Sequence, residues 1–521
     1  MIRLATLVTV LLGVVACTAP IRNAELAVLD SDAGYRFHTV NHGTRDDIMV
    51  VMSMSGGGTR AAALAAGALR GLHDARFADG SGLDTEIDIL SSVSGGSVTA
   101  AYFARHGYGG LDALEQGFLR QDVIGDLVAA GLNPVNLARL PTPSYARIDW
   151  LIAAFHKRLF AEGETFATLL QRDGPQPYLI VNAGDVTAEA VFPFTQDRFD
   201  LICSDLIEMK LADAVAASAA FPLALSAVTL TNYSPCPAQD RAWPDHPPLR
   251  IINPLSTSAY DNPQVRRRAA REWAYLNRSY PDDYLNGTGD IDQSRPPRRK
   301  DWLSKLPPDE GRRFIHLLDG GIADNLGLSE PLYLLSSENS PALARGRDGT
   351  IKNLVQAICE KDIGTILFVV VNARSDRQSA LDRRPTPPGL VAMLTGTTSS
   401  AIDGSTFGIL DRLDTVTKEL LRTNRACDPG AVQDLVILNV PVDFDFIDDP
   451  ACRQRFQDMA TTWTLPDRQI DALLTVGAAL VAKGLGAAPG DGSQPSPLAR
   501  LGLTSLIAET LPTACDAAKA G

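Results

Sequence analysis

Ser91-Ser92-Val93-Ser94-Gly95-Gly96-Ser97 is the stretch whose reading decides the fold. Ahead of it, Ile87-Asp88-Ile89-Leu90 is a short apolar run of strand type. Behind it, Ser97-Val98-Thr99-Ala100-Ala101-Tyr102-Phe103-Ala104 reads as a helix with small residues in its first turn. A serine caught between strand and helix and crowded by glycine is the arrangement that lifts a hydroxyl out as a nucleophile. The neighbours must be small because the turn is tight. The helix start turns free N–H groups and its positive dipole end toward whatever binds there. The pattern here is Ser-x-Ser-x-Gly, with Ser92 where the usual elbow has its first glycine.

Working outward, Ile48-Met49-Val50-Val51-Met52 is a buried-type strand that runs into Gly56-Gly57-Gly58-Thr59-Arg60 and then an alanine-rich helix from about Ala61 to Leu72. Glycines between strand and helix let bare N–H groups face an anion. No Gly-Lys-Ser/Thr follows, so a nucleotide is a poor fit, and a tetrahedral oxyanion is a better one. Farther on, Phe314-Ile315-His316-Leu317-Leu318 delivers Asp319 into Gly320-Gly321. Tyr178–Ala183, Ile366–Val371 and Leu435–Leu438 are further strands, and Leu211–Pro222 is a small-residue helix. Strands alternating with helices argue an α/β architecture with a mainly parallel sheet. The glycine loop, Ser94 and Asp319 then converge at the carboxyl ends of strands, as oxyanion donors, nucleophile and base. A histidine to complete a triad is missing after Asp319; His316 lies three residues earlier and should pack on the opposite face.

These residues together resemble the patatin-like phospholipases. Gly56-Gly57-Gly58-Thr59-Arg60 is similar to that family's Gly-Gly-Gly-x-Arg loop, Ser94 to its elbow serine, Asp319-Gly320-Gly321 to its Asp-Gly-Gly, and Ala212–Pro222 to its Ala-Asp-Ala-x-x-Ala-Ser-x-Ala-x-Pro segment. The resemblance covers about Ile48 to Leu328 and departs at Ser92. It implies a three-layer α/β/α fold and hydrolysis of lipid acyl esters, without metal or cofactor, by a Ser94–Asp319 dyad. Gly56, Gly57 and Gly58 would form the oxyanion hole, with Arg60, Gly95, Gly96, Gly320 and Gly321 in support. In physical terms, burial must raise the Asp319 pKa for a carboxylate to serve as base. Arg60 is expected to hold the helix start rather than to meet a lipid phosphate. A carboxylesterase or acyltransferase, or a non-catalytic binding module on the same fold, are the alternatives.

The totals bound the rest. The 521 residues, 45% hydrophobic and 21% charged, suit a large globular core, and a net charge of −13 argues against nucleic acid and against simple electrostatic attachment to a membrane. Residues 1–16 have a short positive start and an apolar run, too short to span a bilayer but right for an export signal. They end in Val14-Val15-Ala16-Cys17, which resembles a bacterial lipobox; lipidated Cys17 would anchor the chain, and Thr18 rather than aspartate points to the outer membrane of the cell envelope. The six cysteines that remain permit three disulfides in fifteen pairings. The expected organisation is a signal (1–16), a tether (17–46), a core in two parts (47–232 and 311–450), an insertion (233–310) and a helical C-terminal extension (451–521). The insertion sets Arg266, Arg267, Arg268 and Arg271 before Trp273, and Arg295, Arg298, Arg299 and Lys300 before Trp302, a pattern suited to a lid or docking surface at anionic head groups. The acidic run Asp443, Asp445, Asp448 and Asp449 lacks the spacing of a calcium loop and reads as a solvated turn.

Overall fold

A computed structural model of the chain describes residues 22–30, 33–43, 45–142, 145–222, 224–234, 275, 312–336, 344–345, 351–375, 390–427, 435–486, 496–505 and 511–518. The signal, Cys17, the basic clusters of the insertion and Trp273 and Trp302 lie outside these residues.

The body is built on an eight-stranded sheet. Its strands are β1 (Ile48–Met54), β2 (Ile87–Val93), β3 (Tyr178–Asp185), β4 (Ala190–Phe194), β5 (Val228–Thr231), β6 (Phe314–Asp319), β7 (Thr365–Asn372) and β8 (Val436–Asp443). The order β8-β7-β1-β2-β3 is parallel throughout. β3 and β7 are buried along their whole length, as near-continuous apolar runs in a parallel sheet covered by helices should be. Beyond β3 the sheet is mixed: β4 returns from β3 as a hairpin, and β6 is antiparallel to both β3 and β5, so β5 runs with the parallel set. Asp319 therefore does not arrive on a parallel strand, and its approach to the site has a different cause, given below.

Helices flank the sheet: α1 (Gly58–Asp74), α2 (Gly95–His106), α3 (Val123–Leu132), α4 (Pro134–Arg139), α5 (Ile148–Arg158), α6 (Leu211–Ser218), α7 (Leu390–Cys427), α8 (Asp467–Gly486) and α9 (Leu511–Ala518). α1 is buried almost all round, and its small residues let α8 come in at backbone distance. A Cβ on Gly67 would lie 2.2 Å from the Leu474 carbonyl oxygen, and one on Gly477 would lie 2.5 Å from that of Leu64. By length and composition α8 could cross a membrane, but its apolar face is instead buried in this seam. The segment from 451 is thus a layer of the body and not an appendage. Disulfides join Cys359 to Cys427 and Cys452 to Cys515, and Cys203 is also disulfide-bonded. Tyr275, from the expected insertion, is fully buried, and its hydroxyl donates to Asp185 at 2.7 Å.

Candidate active site

Ser94 sits between the last residue of β2 and the first of α2, with φ 50° and ψ −118°. A non-glycine residue there is strained by about 1–3 kcal/mol, so the surroundings must impose it. They do so through Ser218 at the end of α6. The Ser94 N–H donates to Ser218 Oγ at 2.8 Å, and Ser218 Oγ donates to the Asn182 carbonyl at 2.6 Å. Its single proton being used, Ser218 can only accept from Ser97 Oγ, 3.0 Å away. Gly95 and Gly96 are small of necessity: a Cβ would lie 2.1 Å from the Gly58 oxygen at the first and 2.6 Å from the Met54 oxygen at the second. Ser92, the departure from glycine, has room for its side chain, and its hydroxyl donates to the Ile180 carbonyl at 3.3 Å.

Asp319 reaches Ser94 because two strands meet head-on. Asn182 pairs with Val93 and Pro193, and the next residue, Ala183, pairs with Phe192 and Asp319. β4 occupies one edge of β3 at both positions, so β2 and β6 must share the other edge, end to end. Their C-terminal ends face each other, and Ser94 Oγ donates to Asp319 Oδ2 at 2.9 Å. The Gly321 N–H holds Oδ1 at 2.9 Å, while the Asp319 and Gly320 N–H groups donate to the carbonyls of Ala220 and Ser218. A Cβ on Gly320 would lie 2.2 Å from the Asn182 oxygen, which explains that glycine. Burial pushes the Asp319 carboxyl from its ordinary 3.8 up to about 6, against the opposing pull of the Gly321 and Ser94 hydrogen bonds. His316 is not a packed core residue: it is exposed on β6, with Nδ1 3.1 Å from Thr229 Oγ1.

The glycine loop lies against the same serine, for a Cβ on Gly56 would be 3.4 Å from Ser94 Cβ. Its three glycines are not equivalent. The Gly56 N–H donates to the Asn325 carbonyl at 3.1 Å, so that glycine cannot also hold an oxyanion. Gly57 and Gly58 have φ of 142° and 60°, and among the described residues nothing accepts from their N–H groups or from that of Gly95. The loop is braced from the C-terminal region, since the Thr59 N–H donates to the Thr462 carbonyl at 2.8 Å. Arg60 is buried and donates to the carbonyls of Ala373 and Met459 at 3.0 and 2.6 Å, a bracing role rather than a phosphate contact.

The structure therefore brings Ser94, Asp319, Gly57, Gly58, Gly95, Gly96, Gly320 and Gly321 to one place and turns the Gly56 N–H aside. Sequence reading did not single out Ser218, Asn182, Asn325 or Thr462. Ser218 lies within the segment quoted above, and its hydroxyl among alanines is the one signal that marks it. In the acidic run, Asp443 and Asp449 accept from N–H groups at the start of a turn and of a helix, and Asp448 meets Lys483.

Residues 52–244 match the family model of the patatin-like phospholipases. Among curated proteins none matches the chain in sequence. Among solved structures the chain is similar to one described as human GIVD cytosolic phospholipase A2, with 13% identity and a TM-score of 0.32, over 65% of this chain; the chain spans 45% of that one.

Proposed function

We propose, from the match of residues 52–244 to the patatin-like phospholipase family model, that the protein is a serine hydrolase of lipid acyl esters, of phospholipase A or lysophospholipase type, working through a Ser94–Asp319 dyad. The observation that carries this reading is the 2.9 Å hydrogen bond from Ser94 Oγ to a buried Asp319 carboxylate, beside N–H groups that have no acceptor among the described residues. Ser94 Oγ attacks the ester carbonyl carbon as its proton passes to Asp319 Oδ2. The N–H groups of Gly57 and Gly58, with that of Gly95, stabilise the negative charge on the carbonyl oxygen. Collapse expels the alcohol, which takes the proton from Asp319 and leaves an acyl group on Ser94. Water then attacks with Asp319 again taking a proton, and the fatty acid departs. The raised pKa makes the carboxylate a stronger base than an exposed one, which the absence of an intervening imidazole in this scheme requires.

Fluorophosphonate labelling tests the nucleophile. The wild-type chain is expected to be labelled and to release fatty acid from a panel of defined phospholipids. Ser94→Ala is expected to do neither, and undiminished labelling of that variant moves the nucleophile elsewhere. The proposal extends to location: export, lipidation at Cys17 and residence in a bacterial outer membrane would bring the site to its substrate.

A further inference from the structure

α3 and α4 leave an apolar surface that the site described above does not use. Ile124, Val128 and Leu132 recur at four-residue spacing on one face of α3, and Val135 and Leu137 continue it on α4. Val128, Leu132 and Val135 are 54%, 74% and 64% exposed, although Val123 at the start of α3 is fully buried. The one acid of α3, Asp126, is paired with Lys157 and Arg158, and α3 carries no other charged side chain. A contiguous aliphatic stripe of this kind on a water-facing helix marks an interaction surface.

The charges around it point to the occupant. In a chain of net charge −13, the far end of the stripe is flanked by cations. Arg139 lies over the Tyr145 ring at 4.1 Å, and Lys210 stands across a cleft of about 690 Å3 that both residues line. Among the described residues neither has a carboxylate within ion-pair distance. Aliphatic side chains bordered by an aromatic and by cations outside direct ion pairs, in a cleft that Asp149, Glu162 and Asp213 also line, match the layered chemistry of a lipid surface, acyl chains beneath phosphates. A protein partner would more commonly be met by aromatic anchors at the centre of the patch. The near end of the stripe is tied to the site: the Ile124 N–H donates to Thr464 Oγ1 at 3.1 Å, two residues from the Thr462 carbonyl that braces the glycine loop.

We infer that α3 and α4 dock the protein on a lipid surface, with Ile124, Val128, Leu132, Val135 and Leu137 among the acyl chains and Arg139 and Lys210 at lipid phosphates. This rests on the lipid-hydrolase reading and extends it to how the site meets an aggregated substrate.

The test uses the full chain with Cys17→Ala in every arm, so that no acyl anchor contributes, and vesicles of phosphatidylcholine with phosphatidylglycerol. Val128→Asp, Leu132→Asp and Val135→Asp combined are expected to weaken vesicle binding about tenfold or more, and to leave hydrolysis of a soluble short-chain ester unchanged. A polarity-sensitive fluorophore on Leu132→Cys is expected to brighten and shift to the blue when vesicles are added, and one on Asp448→Cys is not. Unchanged binding by the triple variant, or a silent Leu132 probe on bound protein, overturns the inference. A Leu132 signal that grows with protein concentration in the absence of lipid assigns the face to a second copy and also overturns it. Binding measured on Ser94→Ala separates the two readings, since docking should persist there whether or not any lipid ester is cleaved.

Discussion

A carboxylate buried beside a serine hydroxyl is useful for chemistry and unfavourable for folding, and Asp319 allows the two to be separated. Burial raises its folded pKa from 3.8 to about 6, so between those values the folded state holds a proton that the unfolded state has released. For a raised acid the sign is fixed: ionisation costs stability in full above the folded pKa, and the cost fades as pH falls toward the unfolded value. At 1.36 kcal/mol per unit the cost is about 3 kcal/mol near neutrality. Asp319→Asn cannot ionise, while its amide oxygen can still accept from the Gly321 N–H. The variant is therefore expected to unfold at higher denaturant than wild type at pH 8, by about 2 kcal/mol, and to lose that advantage by pH 4. Turnover should be lost at both pH values. Wild-type hydrolysis should rise through about pH 6 as the base loses its proton. Denaturation of both proteins at pH 4 and 8 and a rate profile across that interval check all three. An Asn variant no more stable at pH 8 would mean that Asp319 is not desolvated.

Between elements, close approach depends on which glycines face backbone. Gly67 does: a Cβ there would lie 2.2 Å from the Leu474 carbonyl oxygen, and a helix cannot move one carbonyl without moving itself. Gly67→Val should push α8 off α1 and destabilise the fold by about 1–3 kcal/mol. Because Gly57 and Gly58 sit at the start of α1, hydrolysis should fall as well. Gly408, exposed in α7 with no atom near its missing Cβ, supplies the contrast: Gly408→Ala should stabilise by about 0.5–1 kcal/mol on helix propensity alone. Chemical denaturation of the two variants distinguishes a packing seam from generic glycine cost. This seam also marks where sequence stops being informative. The junctions at Gly56–Gly58, Ser94 and Asp319 are local events, a strand giving way to glycine and then helix, and each is legible where it stands. The uniform apolar runs of β1, β3 and β7 announce a buried parallel sheet in the same way. What braces those junctions is not local. Arg60 and Met459 are 399 positions apart, and nothing in Met459 or Thr462 advertises a carbonyl aimed at the glycine loop. The reversed direction of β6 was obscured because the exposed positions of its alternating pattern include Phe314, an apolar residue on the water side. The Gly56 N–H was likewise beyond reach, since only the fold shows that Asn325 has taken it.

At the scale of the whole molecule, the disulfides constrain chain that the sheet alone does not hold. Six cysteines after Cys17 gave fifteen pairings, and the structure selects Cys359–Cys427 and Cys452–Cys515, with separations of 68 and 63 residues. Loops of such similar length restrict the unfolded chain almost equally, so removal of either bridge should cost about 2–4 kcal/mol. Their effects on the reaction should differ. Cys359–Cys427 ties the helix Leu354–Cys359 to the far end of α7. Cys452–Cys515 ties α9, which packs on α8, to the helix Pro450–Gln457, and the segment just beyond that helix supplies the Met459 and Thr462 carbonyls to Arg60 and Thr59. The double variant Cys452→Ser with Cys515→Ser should therefore lose hydrolysis of a soluble ester at temperatures where it is still folded. Cys359→Ser with Cys427→Ser, destabilised to a similar extent, should keep its rate until it melts. Thermal melts paired with rates below each melting temperature measure both effects. Equal retention of rate by the two variants would mean that the glycine loop keeps its shape without the C-terminal brace, and that α1 alone fixes the N–H groups of Gly57 and Gly58.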